Sequence, residues 1–112
     1  MTETWLYALQ RLTAILMLPM VVAHLATILY ASSTGLTAEA ILARTQSSPW
    51  IAVFYASFVV AASIHAPLGI RMILIEWGRA SRRLAGGVAV LLCIVFLSLG
   101  MRGVFALTGG IA

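Results

Sequence analysis

Three long stretches of the chain are nearly free of polar side chains. From Leu12 to Ala31 the polar positions ahead of Tyr30 are Thr13, His24 and Thr27. From Trp50 to Leu74 an apolar run is interrupted by Ser57, Ser63, His65 and Arg71, and Leu84 to Met101 holds little besides Ser98. Each run is close to the roughly 20 residues that cross about 30 Å of hydrocarbon as a helix. A backbone in lipid must satisfy its own hydrogen bonds, which leaves the helix as the reading. The pattern therefore predicts an all-α membrane protein, one transmembrane domain over residues 1–112, with helices near 5–31, 50–76 and 84–107.

The segments between the runs carry ordinary punctuation. "TAEAILAR" inside the first loop reads as one or two turns of interfacial helix capped by Thr37. Ser48 and Pro49 suit the N-cap and first turn of the second long helix, and Gly86 and Gly87 sit near the entry to the third. Trp5, Tyr7, Tyr30, Trp50 and Trp77 fall at the expected membrane borders, as an aromatic belt does.

Composition supports this picture. Of 112 residues, 62% are hydrophobic and only 9% charged, with a mean hydropathy of +1.08, too few charges to cover a water-soluble domain. Arginine supplies every basic side chain, and the loop before the third helix has Arg79, Arg82 and Arg83 against Arg44, offset by Glu39, in the other loop. The positive-inside rule then puts the amino terminus and the "EWGRASRR" loop in the cytoplasm and the carboxyl terminus outside, although Arg102 softens the asymmetry. Topology accounts for the net charge of +4, so nothing here asks for nucleic acid. The opening "MTET" lacks a basic n-region, so the first helix is expected to be retained. Cys93 is a single mid-membrane thiol and reads as a packing residue.

Polar groups inside hydrocarbon are costly and often functional. At 100° per residue, Ala61, His65, Gly69, Met72 and Glu76 share a narrow stripe. Small residues one turn from a histidine leave room for a flat, bulky group, and an imidazole that ligates haem iron suits that space. Pro67 frees the carbonyl of Ser63, and Arg71 lies one to two turns further on, within reach of a propionate or the interface. The first helix has its own stripe: Gln10, Thr13, Met17 and His24. By helical rise His65 is roughly 15 Å from the cytoplasmic end of its helix and His24 roughly 28 Å from the start of its own, so they do not clamp one iron. A lone membrane histidine also serves as a hydrogen-bonding link between helices, and Arg71 and Glu76 also read as border charges that snorkel.

"HAPLGIRMILIEW", from His65 through Gly69, Arg71 and Glu76 to Trp77, resembles the second-helix haem b motif of the membrane-anchor subunits of succinate dehydrogenase and fumarate reductase. "LQRLTAILMLPMVVAH" is similar to the opening helix of that family, with Gln10 or Arg11, Thr13 and His24 in step. Ala14 stands where a glycine often follows, and Tyr7 stands near the place of the family's cytoplasmic-end serine. The resemblance implies that His65 ligates an inner haem b; His24 resembles the ligand of the second, outer haem of the family's two-haem members, so one haem or two stays open, each taking its second axial ligand from another chain. Arg11, Gln10, Trp5, Tyr7, Arg71 and Glu76 would line a quinone or propionate region. Implied partners are an iron–sulfur subunit, a flavoprotein subunit, and a second membrane anchor or a homodimer mate, in a bacterial cytoplasmic membrane. Two alternatives stay open: a haem-free structural anchor, and a stand-alone homodimeric b-type cytochrome.

Overall fold

The computed structural model describes residues 2–109 and contains four helices: α1 (Glu3–Thr34), α2 (Ala38–Thr45), α3 (Pro49–Glu76) and α4 (Arg82–Thr108). α1, α3 and α4 are each long and apolar enough to span a membrane. The expected fold class therefore holds, with helix ends within about three residues of those read from the sequence. α1 overshoots most: 32 residues reach about 48 Å, well beyond the hydrocarbon thickness, so its ends stand in the interfacial layers.

Local chemistry sets the boundaries. The Thr2 hydroxyl accepts from the amide of Trp5, Thr37 from Ala40, Ser48 from Ile51 and Ser81 from Leu84, so every helix starts on a hydroxyl N-cap. Pro49 opens α3 where no amide hydrogen is needed. α4 ends on Gly109 at φ 71°, a left-handed cap that suits glycine. Pro19 in α1 and Pro67 in α3 lie inside their helices without ending them.

α3 is the central helix. α4 packs along most of its length, and small buried residues include Ala52 on α3 and Ala85 and Ala89 on α4. Small side chains let backbones approach, which is how membrane helices gain dispersion contact when lipid removes the hydrophobic driving force. Gly100 shows how close they come: a Cβ built there would stand 2.5 Å from Cγ1 of Val59. α2 closes one end of the bundle. Thr45 donates to the carbonyl of Leu107 at 2.7 Å, and the amide of Ser47 donates to that of Thr108 at 2.8 Å.

α1 leans on α3 differently. Its only buried residue is Thr13, while Ile15, Leu18 and Val22 are all more than half exposed. What ties it to α3 is polar, and the contacts run antiparallel: Glu3, Gln10, Thr13 and His24 meet Arg71, Gly69, His65 and Tyr55. Interhelical hydrogen bonds in membranes average about 0.6 kcal/mol, so the two histidine contacts together supply only about 1 kcal/mol. α1 has an apolar face left over for lipid or another chain.

Gly100→Ala is expected to destabilise the chain despite the roughly 1 kcal/mol helix-propensity gain of alanine, because Val59 is β-branched and overpacking costs about 1–3 kcal/mol. Thermal unfolding in detergent micelles should show a lower midpoint, recovered when Val59→Ala is added. An unchanged midpoint for the single variant would show that the contact yields freely.

Candidate functional site

Two histidine centres and one ion-pair cluster line the α1–α3 seam. At the first centre, Nδ1 of His65 lies 3.1 Å from Oγ1 of Thr13. The Thr13 hydroxyl has one hydrogen and directs it to the carbonyls of its own helix, Leu9 at 2.9 Å and Gln10 at 3.0 Å. With that hydrogen on its own helix the hydroxyl accepts from His65, an assignment that puts the imidazole proton on Nδ1 and leaves Nε2 unprotonated. One turn along, the Gln10 side chain lies over Gly69, where a Cβ would meet its Nε2 at 3.4 Å. The other amide atom, Oε1 of Gln10, is buried and has no hydrogen-bond partner among the described residues. A buried acceptor without a donor marks a place for one.

At the second centre, Nδ1 of His24 lies 3.2 Å from the phenol oxygen of Tyr55, and the ring stands edge-on to Tyr55 and Phe58 with centroids 5.5 and 5.6 Å away. Thr27 donates to the carbonyl of His24 at 2.6 Å, and its oxygen is 3.4 Å from the same phenol. One assignment gives each contact a hydrogen: imidazole Nδ1–H to phenol, phenol to Thr27, Thr27 to the His24 carbonyl. His24 also lines a mostly apolar cavity of about 750 Å³ bounded by all four helices, with Arg44 among its walls. Arg44 stacks on Tyr30 at 5.3 Å. Tyr55 is ten residues before His65 on α3, so the two centres differ in depth by about 15 Å.

The cluster lies at the end of the bundle opposite α2. Arg71 is 7% exposed, and its guanidinium donates to Glu3 from both terminal nitrogens, at 2.5 and 3.2 Å. Glu3 also takes Arg82 at 2.7 Å, so one carboxylate joins the starts of α1 and α4 to the end of α3. Arg71 is thus buried and paired rather than a snorkelling border charge, and its fork is already engaged by a carboxylate. Nothing in the sequence pattern singled out Glu3.

The remaining sequence candidates are dispersed. Arg11 is exposed and pairs within α1 with Tyr7, at 3.3 Å to the hydroxyl and 5.8 Å over the ring. Trp5 is 66% exposed, and Glu76 is exposed with no ion pair among the described residues. Gln10 stands near the His65 centre; Trp5, Tyr7 and Arg11 do not turn toward it. No three His, Cys, Asp or Glu side chains among the described residues form a metal cage. Cys93 is half-buried on α4.

The donor set is compatible with haem. With each Nδ1 donating to its hydroxyl, each imidazole keeps Nε2 for a metal, and a single histidine per centre would supply one of the two axial ligands a b-type haem takes. His24 opens on a cavity, while beside His65 the Gln10 side chain covers Gly69.

Residues 1–101 match the family model of the succinate dehydrogenase/fumarate reductase transmembrane subunit. The chain belongs to that family and is an integral membrane anchor subunit, working as part of an enzyme complex rather than alone. No curated protein and no solved structure matches it.

Glu3→Gln is expected to leave the buried Arg71 guanidinium without its carboxylate, and unpaired buried charge is strongly destabilising. The thermal midpoint in micelles should fall, and adding Arg71→Met should recover much of it. Equal midpoints for parent and Glu3→Gln would reduce the cluster to a surface contact.

Proposed function

We propose that this chain is the haem b-carrying membrane anchor of a succinate:quinone or quinol:fumarate oxidoreductase, docking an iron–sulfur and a flavoprotein subunit. The single observation that supports this most is the hydrogen-bonded His65, with Nε2 free and Gly69 one turn away, in a chain of the anchor family. His65 holds the inner haem b and His24 the outer one, each completed by a histidine from a second anchor subunit or a homodimer mate. When bound, the haems supply one-electron transfer between quinone and the membrane interior. The protein's part is to orient the imidazoles, exclude water and hold charge. Gln10, whose carbonyl oxygen lacks a donor, is the side chain best placed to receive a hydrogen bond from quinone or propionate near the inner site; Trp5, Tyr7, Arg11 and Glu76 contribute from the border.

Orientation follows from charge. The contact of Glu3 with Arg82 brings the amino terminus to the arginine-rich α3–α4 loop, and the positive-inside rule assigns both to the cytoplasmic face of a bacterial inner membrane. The iron–sulfur and flavoprotein subunits would sit there.

A second reading has an observation of its own. Both histidines already hydrogen-bond across the α1–α3 seam, which is all that a haem-free anchor would ask of them. Haem content separates the two. Purified through this chain with partners attached, the complex is expected to carry two haems b by pyridine haemochrome. His65→Ala should remove the inner haem and His24→Ala only the outer. Parental haem content in both variants would leave the histidines as helix contacts.

A further inference from the structure

We infer that the hydroxyls of Thr13 and Tyr55 are positioning residues for the two imidazoles, each fixing the Nδ1–H tautomer so that Nε2 is presented to iron. This rests on the haem reading above and goes beyond it, because it concerns what sets the chemical character of each ligand. A free histidine distributes its proton between two nitrogens, and only the form with an unprotonated Nε2 can bind iron through that atom. The hydrogen bond made by the other nitrogen decides the form.

The two locks are built from different parts. Thr13 is oriented from within its own helix: its hydrogen goes to Leu9 and Gln10, and what it offers His65 is a lone pair at 3.1 Å. It is 3% exposed, so no water competes for that lone pair. Tyr55 is oriented by α1, through Thr27, whose own hydrogen is committed to the carbonyl of His24 at 2.6 Å. Imidazole, phenol, threonine and the histidine's own carbonyl thereby close a ring. In each centre the histidine and its lock come from different helices, α3 to α1 for His65 and α1 to α3 for His24. The contacts that join the helices are therefore the same contacts that select the tautomer.

A ligand imidazole that donates from Nδ1 is more basic at Nε2, and a more basic ligand favours ferric over ferrous iron. Removing the acceptor should raise the midpoint potential of the haem on that histidine and leave the other alone. That crossed pattern is one that a purely structural role does not produce.

The test is a potentiometric titration of the haem absorption in the whole complex, comparing Thr13→Val, Thr13→Ser and Tyr55→Phe, with His65→Ala and His24→Ala assigning the two components. Thr13→Val should shift only the His65-dependent component upward, and Thr13→Ser should return it to the parental value. Tyr55→Phe, which keeps the ring against His24, should shift only the His24-dependent component upward. Outer-partner loss at metal-bound histidines typically weakens binding about 10–100-fold, so each shifted haem should also be lost sooner on dilution. Midpoints that do not move, or that move together, overturn the inference while the haem reading stands. If Tyr55→Phe does not assemble, the Thr13 pair decides alone. Full haem in both histidine-to-alanine variants overturns the haem reading itself, and this inference with it.

Discussion

Everything distinctive about this fold follows from the need of polar side chains in hydrocarbon to find one another. α1 brings Thr13, His24 and Thr27 into the membrane, with Gln10 and Glu3 toward its start; α3 brings Tyr55, His65 and Arg71. Leaving any of these facing lipid would cost more than bringing the helices together. The antiparallel order of the two helices lets each find its partner, from the Glu3–Arg71 pair at one end to the His24–Tyr55 pair toward the other. The same seam carries the two imidazoles, so the contacts that hold α1 against α3 also orient both histidines.

The two helix interfaces are of different kinds, and the difference suits a subunit. α3 and α4 meet through alanines and the Val59–Gly100 contact, a close fit that needs no third party. α1 meets α3 at a few polar points and keeps a long apolar face open. A few bonds of about 0.6 kcal/mol each hold a helix in place without locking it. Such a helix keeps its apolar face for lipid or a further chain. At one end α2 is fastened to α4, and at the other Glu3 ties α1 to α3 and α4, so the ends are tighter than the middle.

The two histidine centres lie about 15 Å apart in depth, measured along α3 from Tyr55 to His65, too far for both imidazoles to meet at one point. Each imidazole meets a hydroxyl instead of a carboxylate. A neutral partner adds no charge to a low-dielectric region, where an unpaired carboxylate would be expensive. The charged residues are kept at the ends, where Glu3 bridges two arginines and Arg44 packs on Tyr30.

By itself the sequence determined the three long apolar helices, the hydroxyl caps at Thr37 and Ser48, the proline start of α3, and the separation of the two histidines along the bundle. Those features depend on hydrophobic run length and helical periodicity, which are local. It also pointed to Thr13, Gln10 and Gly69 through their stripes, because residues three, four or seven apart share a face whatever the helix packs against. Only the tertiary structure decided which side chain meets which. Tyr55 read as an unremarked residue of an apolar run until α1 brought His24 beside it, and Glu3 read only as part of an opening without a basic n-region until Arg71 and Arg82 converged on it. Arg11, by contrast, sits beside Gln10 in the chain yet turns to Tyr7 on another face. Long-range pairings like these depend on crossing angle and register between helices, and neither is written in the period of a single run.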